Sequence, residues 1–153
     1  MADKKEFKND FSWSFSRHNT FNTCKRKYYY SYYGSWGGWN KDAEELSQKL
    51  YMLNKMTSLP MLAGSIVHDE VERTLKTLRY GRNADQNKSR DNVIKNFKQS
   101  WNQSKNKEWE DSPKWKTNLF EHYYNQKPSD ENLLELRDLM LDSIDGFFAS
   151  DSY

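Results

Sequence analysis

Apolar positions along this chain recur at steps of three and four residues, the period of a helix, and no segment reads as a strand. Ser14 or Ser16 is placed to cap a first helix that runs to about Tyr33, where Gly34, Gly37 and Gly38 break it. Asp42 can cap a second helix to about Met56, with Leu46, Leu50 and Leu53 on one face. Pro60 suits the first turn of a third, to about Tyr80, with a buried stripe of Val67, Val71, Leu75 and Leu78. Gly81 ends it, and GRNADQNK reads as a loop. Ser89 can cap a fourth helix, with Val93, Phe97 and Trp101 at four-residue steps. After a polar stretch containing Pro113, a short helix fits residues 117–124. Pro128 and Ser129 open a last helix whose apolar face is Leu133, Leu136, Met140, Ile144 and Phe147. Asp130 and Glu131 in its first turn suit the helix dipole.

Composition refines this all-helical picture. Hydrophobic residues are 35%, charged residues 30% and aromatics 16% of 153 residues. A chain so poor in aliphatics folds only if its rings bury area, and 12 of the 24 aromatics lie between Phe7 and Trp39. No apolar run approaches the length of a membrane span, and MADKKEFKND has no hydrophobic segment for a signal peptide. Cys24 is the single cysteine, so an internal disulfide is excluded and a reducing, cytoplasmic compartment is expected. The net charge of +2 hides a gradient: residues 1–40 carry 7 basic and 3 acidic groups, residues 129–153 carry 1 and 7. A polyanion would meet the basic part.

Two stretches carry candidate chemistry. In LPMLAGSIVHDEVERTL, Gly64 and His68 stand one turn apart on one helix face. Glycine inside a helix costs about 1 kcal/mol against alanine, which close approach of another segment would offset. Histidine is the commonest metal-binding side chain, so His68 reads either as a ligand facing a crevice or as an ordinary surface histidine. Glu72 shares its face and could assist it, whereas Asp69 and Glu70 point elsewhere. In SWSFSRHNTFNTCKRKYYYSYYGSWGGW, Arg17, Lys25, Arg26 and Lys27 interleave with rings such as Tyr28. That mixture suits a nucleic-acid strand, cations on phosphates and rings on bases; equally, the rings could be core and the cations solvated. His18 and His122 have no partners at metal spacing and read as ordinary polar residues.

Taken in order, these stretches resemble the start of RecB/AddB-like nucleases of the PD-(D/E)XK superfamily. That group opens with an S-x-S helix start, an aromatic and then C-P-R-x-Y-Y; here stand Ser14, Ser16, Phe21 and Cys24-Lys25-Arg26-Lys27-Tyr28-Tyr29. The group's L-x-x-G-x-x-x-H helix follows, here from Leu59 through Gly64 to His68. The resemblance covers roughly residues 12–80.

The resemblance implies a mainly α chain, the helical N-terminal portion of a restriction-endonuclease-like α/β nuclease. Residues 1–10 would be a flexible arm and 11–153 the helical part of one nuclease domain, with the family motifs in 11–80 and a helical insertion or extension in 81–153. It also implies that His68 is catalytic and a metal ligand, that Arg17, Lys25, Arg26, Lys27 and Tyr28 contact DNA, and that Ser14, Ser16, Cys24 and Gly64 are structural. Mg²⁺ or Mn²⁺ would be the cofactor, DNA the substrate, and a helicase or other subunit a partner; no membrane is involved. The parent would be a deoxyribonuclease of the repair, recombination or phage-defence type. The catalytic strands, carrying an Asp and then E-x-K, have no counterpart here. Pro128-Ser129-Asp130 with Glu135-Leu136-Arg137 only superficially matches the superfamily name, in a helix and with arginine for lysine. This piece is therefore expected to be inactive alone and to come from a longer chain. The alternative is a complete helical module that binds nucleic acid or protein. Some relatives in the group hold a four-iron–four-sulfur cluster with four cysteines; one cysteine excludes that within this chain, and it is not expected in a longer parent.

Overall fold

Five of the helices start by the same chemistry: a side chain accepts a hydrogen bond from the backbone N–H three residues on, satisfying a donor that the helix itself leaves unpaired. In the computed structural model, which describes residues 8–150, Ser14 accepts from Arg17 N (3.2 Å), Cys24 Sγ from Lys27 N (3.4 Å) and Ser58 from Met61 N (3.4 Å). Asp85 accepts from Lys88 N and Ser129 from Asn132 N, both at 3.1 Å. These caps open α1 (Phe15–Thr23), α2 (Lys25–Tyr29), α4 (Leu59–Arg79), α5 (Gln86–Lys105) and α7 (Asp130–Ala149). The remaining helices are α3 (Glu45–Asn54) and the single turn α6 (Phe120–Tyr123). The described residues are mainly helical and include no strand, only an isolated parallel bridge between Thr57 and Leu119. Residues 1–7 of the expected N-terminal arm lie outside the described residues.

Several expected boundaries move. The first helix does not run unbroken to Tyr33, because Cys24 is extended (φ −160°, ψ 107°) and caps a second one. Lys25 then occupies the first helical position, where a proline would also fit. After Tyr29 the backbone widens into a π-helical turn, Tyr30–Gly34. Asp42 does not cap α3; Glu44 precedes it without a side-chain bond, and Gln48 ties the turn by donating to the carbonyls of Lys41 and Ala43 (3.0 and 2.8 Å). Ser89 is no cap either, since Asp85 starts α5 one turn earlier and leaves Ser89 buried inside the helix.

The chain divides into two compact units between Lys55 and Met56. In the first, α2 and its π turn pack on α1, and α3 packs on the π turn. Gly38 is buried against α3: a Cβ there would collide with the Ser47 carbonyl and lie 2.7 Å from Tyr51 Cβ. That approach lets Trp39 meet Trp36 and Tyr51 edge-on, at 5.0 and 5.7 Å between ring centroids.

In the second unit α4, α5 and α7 pack pairwise around Leu59, Leu62, Ala63, Ile66, Val93, Leu119, Met140 and Ile144. The buried stripe of α4 is rotated from the expected one. It runs Leu59, Leu62, Ala63, Ile66, Glu70, Thr74, while Val67 and Val71 flank it and Leu75 is exposed. Polar partners make this possible. Arg73 donates from Nε to Glu70 (2.8 Å), Asn92 of α5 donates to Glu70 (3.2 Å), and Thr74 meets Ser89 (3.4 Å). Burial alone raises the Glu70 carboxyl, but hydrogen bonds from Arg73, Ser89 and Asn92, with the Arg73 charge, outweigh it and hold the group below its usual range. On the far side, Arg90 of α5 is paired with Asp145 of α7.

The segment between α5 and α6 returns to the start of α4. Thr57 N–H donates to Asn118 O and Phe120 N–H to Thr57 O, both at 3.0 Å. Glu121 then accepts from Leu59 N (2.9 Å), placing a carboxylate at the positive end of α4. The contact at Gly38 gives the first unit a specific sensitivity. Gly38→Ala is expected to destabilise it by at least about 1–3 kcal/mol, the usual cost of overpacking. Near-UV circular dichroism during urea unfolding would show this as a loss of the tryptophan signal at lower urea; an unchanged midpoint would contradict the close approach.

Candidate active-site face and nucleic-acid surface

A helix that commits one stripe to its core turns the opposite stripe outward. On α4 the outward stripe carries Met61, Gly64, His68 and Leu75, all exposed. The His68 side chain is 79% exposed. The carboxylate that meets it is Asp69, 3.6 Å from Nδ1 and equally open to water, a pair worth little. Glu72, which shares the face of His68, is bonded to Lys76 at 2.6 Å; that hydrogen bond and the Lys76 charge draw its carboxyl below the ordinary value. A Cβ at Gly64 would meet no atom within 4 Å. Gly64 and His68 thus lie side by side on an open helix face, and nothing within the described structure fills the space above the glycine.

The other candidate residues lie in the first unit. Ser14 caps α1, and the Ser16 hydroxyl sits 3.0 Å from its own. Cys24 is exposed and caps α2. Lys25, Arg26 and Lys27 are exposed on that short helix, and Lys25 Nζ stands 5.6 Å from the Phe21 ring centroid. Arg17 is half-buried: its guanidinium lies 4.4 Å from the Tyr32 ring centroid and donates to the Ser12 carbonyl at 3.0 Å. None of these four cations forms an ion pair with a described carboxylate.

Arg17 and Tyr28 come together in the wall of a cavity of about 300 Å³, with Phe11, Ser12, Trp13, His18, Phe21 and Tyr33. The π turn shapes it. Tyr28 contacts both Tyr32 and Tyr33, at 5.1 and 5.8 Å between centroids, whereas a regular helix aligns a residue best with the one four further on. A hydrogen bond with Tyr33, then desolvation, raises the Tyr28 hydroxyl, so the ring stays neutral at any ordinary pH. Phe11, Trp13 and Tyr33 were not singled out by sequence, and His18, read there as an ordinary polar residue, joins the wall. The available signal was aromatic density alone, which does not separate exposed rings from core.

His122 is half-buried. Its Nδ1 is 2.9 Å from the buried Ser104 hydroxyl, which also accepts from Leu119 N (2.9 Å), and its ring meets Trp101 edge-on at 4.4 Å. Asp130 only begins α7, and Arg137 pairs with its neighbour Asp138, so the motif-like segment near Pro128 assembles no site.

The family model of the PD-(D/E)XK nuclease superfamily matches residues 12–141. The chain belongs to this superfamily, whose members are generally nucleases and typically use divalent metals. No curated protein and no solved structure matches it. The match spans both units and includes Ser14, Ser16, Arg17, Cys24, Lys25, Arg26, Lys27, Tyr28, Gly64 and His68. The side chains present do not by themselves fit a divalent-metal site. Among the described residues no group of three or more His, Cys, Asp or Glu could hold an ion. Magnesium needs carboxylate oxygens in a near-octahedral set, and His68 offers one nitrogen. No helix among the described residues is long and apolar enough to cross a membrane.

His122 gives this region a pH dependence. Burial lowers its imidazole pKa, so the folded chain binds that proton less readily than the unfolded chain. Its contribution to stability is therefore complete above the ordinary value of about 6.5 and is lost as pH falls through the lowered one. The urea midpoint is expected to drop between pH 7.5 and 5.5, and His122→Asn to remove part of that drop. An identical pH profile in the variant would contradict this.

Proposed function

We propose that this chain is the helical part of a divalent-metal-dependent DNA nuclease of the RecB/AddB-like branch. His68 would face the scissile phosphate as a metal ligand, and the basic aromatic segment would line the DNA path through Arg17, Lys25, Arg26, Lys27 and Tyr28. The observation that carries this reading is the open face of α4. Gly64 and His68 lie exposed one turn apart, at the spacing of the family's G-x-x-x-H helix, while the opposite stripe (Leu59, Leu62, Ala63, Ile66, Glu70, Thr74) is committed to the core. Carboxylates for a metal site would come from elements outside the described residues or from a partner subunit, packed over Gly64. His68 on its own contributes position and one neutral nitrogen donor, and the 153-residue chain alone should have little or no nuclease activity. A helicase subunit and a cytoplasmic role in repair, recombination or phage defence belong to the same proposal.

Exposed rings favour a second reading. Phe11, Trp13 and Phe15 are each more than two-thirds exposed, as expected of a binding surface. The chain would then be a helical module that binds nucleic acid or protein without cleaving. Salt-dependent DNA affinity with no effect of Mg²⁺ or Mn²⁺, in any form of the protein, would favour it.

Two variants test the first reading. In an assembly that carries the missing carboxylates, His68→Ala should lower Mg²⁺- or Mn²⁺-dependent DNA cleavage by at least about 10- to 100-fold with helical content unchanged. Unaltered cleavage would sink the role of His68. Gly64→Ala should stabilise the isolated chain by about 0.5–1 kcal/mol, because its Cβ meets nothing and alanine is the better helix former. In the active assembly the same change should lower cleavage, since the methyl would intrude where another element packs. Full cleavage by the stabilised variant would exclude such packing.

A further inference from the structure

We propose that the aromatic cavity beside α1 receives one unstacked nucleobase of a single DNA strand while Lys25, Arg26 and Lys27 hold flanking phosphates. The inference rests on the reading of the basic segment as a DNA path and names what that path accepts. Three observations carry it.

The first is the character of the wall. Phe11, Trp13, Phe21, Tyr28 and Tyr33 supply rings, and Phe11 and Trp13 are 75% and 69% exposed, so these two are not explained as core. A volume of about 300 Å³ is at the small end of ligand sites, suited to one planar ring system and not to a duplex. Bases within a duplex have their faces covered by neighbours, whereas a single strand offers them freely.

The second is preorganisation. Arg17 is fixed at the cavity by Tyr32 and the Ser12 carbonyl before any ligand arrives, so little order is lost on binding. Ser12, Arg17 and His18 are the polar residues of the wall, which favours stacking over reading of sequence.

The third is charge. Residues 8–40 hold five cations (Lys8, Arg17, Lys25, Arg26, Lys27) and one carboxylate, Asp10. Arg17 lines the cavity and Lys25 stands 5.6 Å from the Phe21 ring in its wall; these two, with Arg26 and Lys27, have no described acidic partner, so phosphates can neutralise them without breaking an ion pair.

Fluorescence anisotropy of the full chain with three labelled probes of equal length tests this: oligo-dT, an abasic strand, and a blunt duplex. The expected result is binding of oligo-dT about tenfold or more tighter than the abasic strand, which has the same phosphates and no bases. Trp13→Ala should bring that ratio close to one and keep the salt dependence. The Lys25→Gln/Lys27→Gln double variant should keep the ratio and flatten the plot of log affinity against log salt by about 0.7 per lysine. Equal affinity for oligo-dT and the abasic strand, a ratio unmoved by Trp13→Ala, or tighter binding of the duplex would overturn the base pocket. Salt-dependent binding would survive each of these, and with it the DNA path. Absence of salt-dependent binding to all three probes would remove the DNA path and the pocket together.

Discussion

The packing of α4 against α5 and α7 is the constraint on which the second unit depends. Leu59, Leu62, Ala63, Ile66 and Thr74 face inward, and a period of 3.6 residues then leaves no choice about His68. Two residues beyond Ile66 and two before Glu70, it must point away from the core. The exposure of the imidazole is thus enforced by hydrophobic burial elsewhere on the helix, and no local interaction is needed to hold the backbone beneath it. The Asp69 contact is too open to water to add much.

Buried polar groups fix the register of this bundle. Greasy stripes tolerate rotation, because one aliphatic contact replaces another at modest cost. Glu70 does not: displaced from Arg73, Asn92 and Ser89, it would be a carboxylate without partners in a dry site. Ser104 has the same role at the other end, where one hydroxyl meets both the Leu119 amide and His122. Leu119 is fully buried beside the Thr57 bridge, so this contact ties the returning segment to the start of α4. The two polar clusters lie about three turns apart along α5, at Ser89–Asn92 and Ser104, and hold it at both ends.

How much of this the sequence discloses depends on the range of the interaction. Ser14 and Ser129 announce helix starts because capping acts across three residues, and Pro60 marks the first turn of α4 for the same local reason. Ser89 misleads because the same residue type also suits a buried partner for Thr74, which depends on a helix 15 residues away. The stripe of α4 is misjudged where hydrophobicity stands in for burial. Leu75 is exposed and Glu70 is inside, since partners on α5 make a carboxylate acceptable there. Superfamily membership was readable from two short motifs, and the RecB/AddB-like branch, read from the same motifs, is part of the proposal. The cavity at Trp13 was out of reach, since it depends on which of many rings stay uncovered and on a change of helical type after Tyr29.

That change of type alters which side chains meet. A π turn closes its hydrogen bonds over five residues instead of four, so it holds one residue more than the α-helical repeat accommodates. Each residue advances an α-helix by about 100°, so the extra residue of the turn brings Tyr33 as well as Tyr32 to Tyr28. A relative with one residue fewer between Tyr28 and Gly34 would close into a plain helix, with a single ring beside the position of Tyr28. Length variation at this one point would then separate members of the superfamily that have such a cavity from those that do not.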